Sequence, residues 1–417
     1  MIAIEATQPC PVRERKMVPA LLAVAISYPI FAARFGLPGM GSSLTAALLV
    51  GTVVLLFRWR RLRLGRLRLP IAAAGLWLLL GMAHSAVWAP DSWIVILLYP
   101  ITALVALLVG STLSAKELAS LITVSSLLWA FVVLATLGLR YGTSYDSKEY
   151  FNAYGISLNG LASLAALPVM VAISWVAARG PRALAHRRWV PCLAGAYVIF
   201  SSASLSVLPA VAIGGCGAVL LAARRRVTRC AAAVLASGVL VVYVWQLRSS
   251  IEVGGGDLRG RDELWRGALE LIHGGLPGGI GAEQSYERGW AYAPHPFGTT
   301  LSGGIHNWAL QLTLAFGVTG LALLATSALA YGPALRSTLL TRDPVISGAV
   351  AWAIFAVLAR GLVESDGSLI FLRPSSQSFL VWLILGCAMS MTRWRRPPKV
   401  RAQAEPVDMP AMAGSPS

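Results

Sequence analysis

The chain has 417 residues, of which 56% are hydrophobic and only 13% are charged, and its mean hydropathy is +0.67. This balance lies far from that of a soluble globular domain, so it excludes a water-soluble enzyme or binding module and predicts a chain embedded in lipid. The net charge of +17 does not indicate nucleic-acid binding, because the arginines form short blocks between apolar runs rather than one basic patch.

Twelve apolar runs follow one another along the chain, each long enough for a helix that crosses a hydrocarbon core of about 30 Å. Runs of this length favour helices over the shorter strands of a barrel. The sequence therefore predicts an all-α polytopic integral membrane protein with about 12 transmembrane helices. The predicted spans are residues 18–35, 40–57, 70–88, 93–110, 118–138, 160–178, 190–207, 208–223, 230–247, 307–332, 344–363 and 377–392. The seventh and eighth come from one apolar stretch that Pro209 divides, either a hairpin or a single kinked helix, and its length favours two passes.

The connections between these spans alternate in charge. Every second connection, together with the segments that flank the first and last spans, is rich in Lys and Arg. This set holds most of the 35 basic residues but only a third of the 18 acidic ones. Because basic connections stay on the cytoplasmic side, the pattern predicts an even number of spans in the inner membrane and two cytoplasmic termini. The stretches rich in Lys and Arg are residues 13–16, 58–68, 116, 179–188, 224–229, 336–342 and 393–401.

The predicted organisation has five parts. A polar cytoplasmic tail, residues 1–17, precedes a first span that is expected to act as an uncleaved anchor. Nine spans occupy residues 18–247, and a long outer loop, residues 248–306, separates the ninth span from the tenth. Three spans lie in residues 307–392. A second cytoplasmic tail, residues 393–417, is expected to be disordered because of its Pro, Ala and Ser content.

The long outer loop contains the most informative residues of the chain. Residues 261–273 have apolar side chains at helical spacing and i,i+4 pairs of opposite charge, which predicts an amphipathic helix suited to the plane of the headgroups. A Gly-rich segment follows and ends at His306-Asn307, where the tenth span begins. This polar pair is placed to meet both water and a substrate carried in lipid. It is also explained as an interfacial cap, because Asn is a good N-cap and Trp308 suits the interface.

Four short motifs in this region resemble, in their order, the signature region of the O-antigen ligase and polysaccharide polymerase superfamily. They are Arg-Asp-Glu-Leu-Trp at 261–265, Leu-Pro-Gly-Gly-Ile-Gly at 276–281, His-Asn-Trp-Ala-Leu-Gln at 306–311 and Phe-Gly-Val-Thr-Gly at 316–320. The predicted twelve spans and the position of the long loop are also similar to those of the family. The chain departs from the family at 201–206, where it reads Ser-Ser-Ala-Ser-Leu-Ser and lacks the arginine of a Ser-Arg-Gly-like step.

The resemblance implies a glycan donor linked to polyprenyl pyrophosphate and an acceptor that is a glycan or a lipid-linked sugar. An acceptor hydroxyl would attack the anomeric carbon of the donor while the pyrophosphate leaves. Arg261 is the expected stabiliser of the leaving group, since a guanidinium gives phosphate two hydrogen bonds. His306 is the expected general base or hydrogen-bond acceptor for the attacking hydroxyl. The scheme requires no metal ion or other cofactor.

Further residues are expected to bind the substrate. Asn159 and Asn307 match positions of the family pattern, and Glu364 resembles an acidic position often found after the eleventh span. Arg34, Arg140, Arg288 and Arg360 are candidates for the missing arginine. Arg360 stands out because a charge in the last turns of an apolar span is costly and is usually paired or functional, and Glu364 lies one helical turn away. A purely structural ion pair explains the same two residues.

Other interpretations of the sequence remain. His84 and His273 lack a motif and are assigned structural roles. A transporter or lipid flippase also has many spans and cytoplasmic termini, although the chain shows neither a convincing internal repeat nor polar residues gathered at mid-membrane. Within the enzyme interpretation, a polymerase and a ligase differ only in the acceptor. The missing arginine slightly favours a polymerase.

Overall fold

The computed structural model describes residues 12–35, 43–62, 64, 67–88, 93–138, 158–184, 189–202, 207–253, 261–273, 278–279, 307–362 and 375–391. Throughout these residues the regular structure is helical and no strand occurs, which confirms the all-α prediction for this part of the chain. The helices are α1 (Val12–Phe35), α2 (Ser43–Arg58), α3 (Arg68–Trp88), α4 (Trp93–Thr112), α5 (Ala115–Gly138), α6 (Leu158–Arg179), α7 (Trp189–Ser202), α8 (Val207–Ala222), α9 (Arg226–Val253), α10 (Arg261–His273), α11 (Trp308–Phe316), α12 (Val318–Thr341), α13 (Pro344–Ala351), α14 (Val357–Gly361) and α15 (Ser376–Ser390).

The apolar helices are those of a membrane-embedded protein. Within the described residues, four helical segments are long and apolar enough to cross a membrane: Arg68–Val87, Ala115–Ala135, Gly160–Arg179 and Pro344–Gly361. Shorter apolar segments accompany them: Lys16–Tyr28, Leu97–Thr112, Trp189–Ser201, Val207–Ala222 and Ser376–Ser390. The stretch that Pro209 divides forms two helices, α7 and α8.

The ninth and tenth predicted elements differ from the structure. The tenth run, predicted as one helix, is interrupted at Gly317, whose φ of 55° lies in the left-handed region; α11 ends before it and α12 begins after it. The helix of the ninth run continues to Val253, so the first residues of the predicted loop are helical. Hydropathy marks where an apolar run ends, whereas a helix continues for as long as its backbone hydrogen bonds are favourable.

The core of the bundle forms where α15 packs against α4. Nearly all of α15 is buried, and the two helices meet backbone to backbone. A Cβ atom at Gly110 would lie 1.9 Å from the carbonyl oxygen of Leu383, and one at Gly386 would lie 2.2 Å from that of Leu107. Small residues at a helix contact allow this approach, which compensates for the absence of a hydrophobic driving force between helices in lipid.

A buried ion pair joins the end of α2 to the start of α5. The Arg58 guanidinium donates to Glu117 at 2.8 Å, and the amide and hydroxyl of Ser114 donate to the second carboxylate oxygen at 2.8 and 2.9 Å. The Cys387 thiol near the end of α15 lies 3.6 Å from the carbonyl oxygen of Leu113. These contacts gather two of the basic connections at one end of the bundle, which we call the basic end.

The eleventh predicted run is helical but is not one regular α-helix. Asp343 caps α13 by accepting from the amides of Val345 and Ile346 at 2.9 and 3.2 Å. A π-helical turn, Trp352–Ala356, then connects α13 to α14. The indole of Trp352 donates to the carbonyl oxygen of Ser163 on α6 at 2.7 Å, which fixes the turn against a neighbouring helix.

Candidate active site

The described residues of the loop motifs lie at the end of the bundle opposite the basic end. Helix α3 begins at Arg68, ten residues after the ion-paired Arg58, and His84 is close to its other end. A rise of 1.5 Å per residue places His84 about 24 Å along the helix from Arg68. His84 contacts Gly278 of the second motif. We call five of the described motif residues, Trp265, Gly278, Gly279, Asn307 and Trp308, the signature cluster.

Helix α10 confirms the amphipathic helix predicted over residues 261–273. Trp265 and Ala268 are 1% and 3% exposed, and α10 packs against α11. Arg266 and Glu270 are exposed on the opposite side. Part of the apolar face is therefore covered by another helix of the protein, not only by lipid as an interfacial helix would require.

Gly278 and Gly279 of the second motif lie between α3 and α11. Gly279 has a φ of 71°, and a Cβ atom there would lie 2.6 Å from the carbonyl carbon of Ala315. The His84 ring donates through Nε2 to the carbonyl oxygen of Gly278, and its edge packs against Phe316 with ring centroids 5.1 Å apart. Glycine is required at position 279 both for the backbone conformation and for the close approach to α11.

Asn307 caps α11 and also links it to the end of α14. Its side-chain oxygen accepts from the amides of Ala309 and Leu310 at 3.0 and 3.1 Å, while Nδ2 donates to the carbonyl oxygen of Leu362 at 3.0 Å. The sequence left a capping role open for the His306-Asn307 pair. The structure assigns the cap to Asn307, so capping does not account for His306.

The neighbouring Trp308 strengthens this junction. Its indole donates to the carbonyl oxygen of Leu358 at 3.3 Å, and a Cβ atom at Gly361 would lie 2.5 Å from Trp308 Cδ1. Arg360, one of the predicted substrate-binding residues, is in the same segment of α14 and only 1% exposed. The structure thus brings the helix segment that carries Arg360 to the start of α11, although 50 residues separate Leu358 from Trp308.

The remaining predicted site residues are described in part or not at all. Arg261 is the first residue of α10 and Asn159 lies in the first turn of α6, but the side chains of both are outside the described residues. His306, Arg288 and Glu364 also lie outside them. In the described part of the chain, no group of three or more His, Cys, Asp or Glu side chains is placed to hold a metal ion.

Sequence reasoning missed the position of His84. The sequence indicates a structural role for His84 but does not identify its partner, which the structure shows to be Gly278 of the second motif. The available signal was an imidazole in the last turns of an apolar run, where a polar side chain is costly and usually has a partner. Gln311, one turn into α11 and 1% exposed, is a second buried polar group in this region.

The fold and the site define a helical membrane-embedded protein with a polar, Gly-containing cluster at one end of its bundle. Comparison with protein-family models finds no match, and comparison with curated proteins finds none either.

Proposed function

We propose that this protein is a membrane glycan transferase. It moves or polymerises an oligosaccharide linked to polyprenyl pyrophosphate on the outer face of the inner membrane, as an O-antigen or exopolysaccharide polymerase or an O-antigen ligase. Twelve spans with both termini in the cytoplasm would place the loop of residues 248–306 on that face.

One observation carries the proposal: described residues of the four motifs lie on α11, at its ends, or in segments that pack against it. Trp265 lies in the helix that packs on α11, Gly279 approaches Ala315, and Asn307 opens α11. Gly317, in the fourth motif, ends α11. Motifs that resemble the family by their order are therefore connected through one helix, which supports a shared site.

The leaving pyrophosphate and the attacking hydroxyl need different catalytic residues. The departing pyrophosphate develops negative charge, and Arg261 at the head of α10 would stabilise it with a planar pair of donors. His306, directly before the cap of α11, would accept the proton of the attacking hydroxyl. Arg360, buried in α14 beside the α11 junction, would be the second cation for the pyrophosphate.

The first experiment tests the class of protein. Deleting the gene should leave lipid-linked repeat units made but not extended or transferred, visible as the loss of high-mass polysaccharide on a gel. Normal polysaccharide together with altered uptake of a small solute would refute the transferase and favour the transporter interpretation.

The second experiment tests the two catalytic residues, with product measured per folded enzyme. Arg261→Ala should lower the rate by about 10²–10³, and Arg261→Lys should restore only part of it because an ammonium lacks the planar fork. His306→Ala should lower the rate by about 10²–10⁴ with donor binding largely kept. His306→Asn should be equally impaired, and near-normal activity of that variant would end the catalytic assignment of His306.

A further inference from the structure

The segment that joins α2 to α3 combines strong positive charge with exposed apolar side chains. Residues 57–69 contain six arginines and no acidic residue. We call this stretch the basic segment. It follows α2 through a 3-10 turn, Trp59–Arg61, and lies at the basic end of the bundle, far from the signature cluster.

The basic segment is attached to the protein at two points. Arg58 is 1% exposed and its charge is matched by Glu117 at 2.8 Å. Leu67 is also 1% exposed and belongs to the main hydrophobic core. These two residues hold the segment against the bundle, and five of its exposed residues form a surface: Phe57, Trp59, Arg60, Leu64 and Arg68.

That surface presents arginines and large apolar side chains together. Arg60 and Arg68 are exposed. Phe57 is 81% exposed, Trp59 is 63% exposed and Leu64 is 54% exposed. The Arg60 guanidinium carbon lies 5.8 Å from the centroid of the Trp59 ring, within the range of a cation–π contact.

We propose that the basic segment binds the headgroups of anionic phospholipids. Arginine offers paired donors that match a phosphate, and tryptophan prefers the level of the headgroups. The bilayer also accepts the exposed Phe57 and Leu64 in its apolar region, which neither a nucleic acid nor an acidic protein surface would do. The segment contains no carboxylate, and its exposed Arg60 and Arg68 carry a charge complementary to that of an anionic lipid.

The chain offers a matched control at the turn between α8 and α9. Arg224 and Arg225 are exposed there as well. This turn carries charge of the same sign but no aromatic residue. Removing two charges from either place changes the net charge of the protein equally, so a difference between the two variants reports the basic segment itself.

The test uses the full chain purified in a neutral detergent, with bound lipid counted by native mass spectrometry. Phosphatidylglycerol should bind more tightly than phosphatidylcholine. The double variant Arg60→Gln with Arg68→Gln should weaken phosphatidylglycerol binding by about 25-fold, since each arginine near an anionic surface contributes about fivefold. The matched variant at Arg224 and Arg225 should weaken it by less than about threefold, because that turn has no tryptophan to hold a headgroup beside its arginines.

Two further variants separate charge from geometry. Arg60→Lys should give an intermediate loss, because it keeps the charge without the planar fork. Trp59→Leu should weaken binding while all six arginines remain. Equal losses for the two double variants, or equal binding of the two lipids, would overturn the proposal. So would preferential binding of an oligonucleotide or an acidic peptide at this segment. The outcome is independent of the transferase proposal, because no glycan enters the assay.

Discussion

Asn307 makes two kinds of contact with one side chain, and two substitutions separate them. The side-chain oxygen caps α11, while Nδ2 links α11 to the carbonyl oxygen of Leu362. Asn307→Ser keeps an oxygen for the cap but has no donor that reaches Leu362, so it should lower the free energy of unfolding by about 1 kcal/mol, the usual value of one such hydrogen bond. Asn307→Ala also removes the cap and should lower it by about 2 kcal/mol in total.

Unfolding can be followed by circular dichroism as sodium dodecyl sulfate is titrated into mixed micelles that contain the purified protein. Asp343 is the control, because its side chain caps α13 through Val345 and Ile346 at the other end of the bundle. Asp343→Ala should therefore cost about 1 kcal/mol, the cap alone. Equal stability of the Ser and Ala variants at 307 would refute the capping role. A Ser variant as stable as the parent would refute the link to Leu362.

Three more predictions follow from the fold. Gly180 and Gly279 both have positive φ, but only a Cβ atom at 279 would meet neighbouring backbone. Alanine should therefore lower the free energy of unfolding by about 1–2 kcal/mol at 180 and by clearly more at 279. Equal losses of stability in the same titration would contradict the close packing at Gly279. Glu117→Gln should cost about 3–5 kcal/mol because it leaves its guanidinium partner buried without a counter-charge, and a loss below about 1 kcal/mol would show that the pair is dispensable. A reporter active only outside the cytoplasm should work when fused after Gly255 and be silent after Arg396, and the reverse would invert the proposed topology.

The positions of the helices could be read from the sequence because lipid selects long apolar runs. The periodicity of residues 261–273 likewise predicted α10, since its polar and apolar faces meet different surroundings. Interruptions within apolar runs were not predictable. The Val-Ala-Trp-Ala-Ile-Phe-Ala stretch around Trp352 contains no residue type that marks a π-helical turn. The hydrogen bond partner of Trp352 is Ser163, which lies on another helix 189 residues earlier in the chain.

The candidate site could be predicted in outline but not in its contacts. The order of the motifs indicated that α10, the Gly-rich segment and α11 belong together. Gly279 does approach α11, at Ala315 near its end, whereas Asn307 contacts Leu362 at the end of α14. The cap formed by Asn307 was within reach of the sequence, because Asn is a preferred N-cap. Its second bond, to the carbonyl oxygen of Leu362, 55 residues away, was not. The partner of His84 lies 194 residues along the chain, beyond the reach of any local pattern.

The π-helical turn determines which way the side chains of the following helical residues point in the eleventh run. One extra residue in a helix rotates the subsequent residues by about 100° and advances them by about 1.5 Å. Deleting one residue from Trp352–Ala356 would restore regular α-helical phase and turn Gly361 away from Trp308, together with Arg360. The turn therefore acts as a one-residue phase shift, through which an insertion in the middle of an apolar helix determines which side chains face the start of α11.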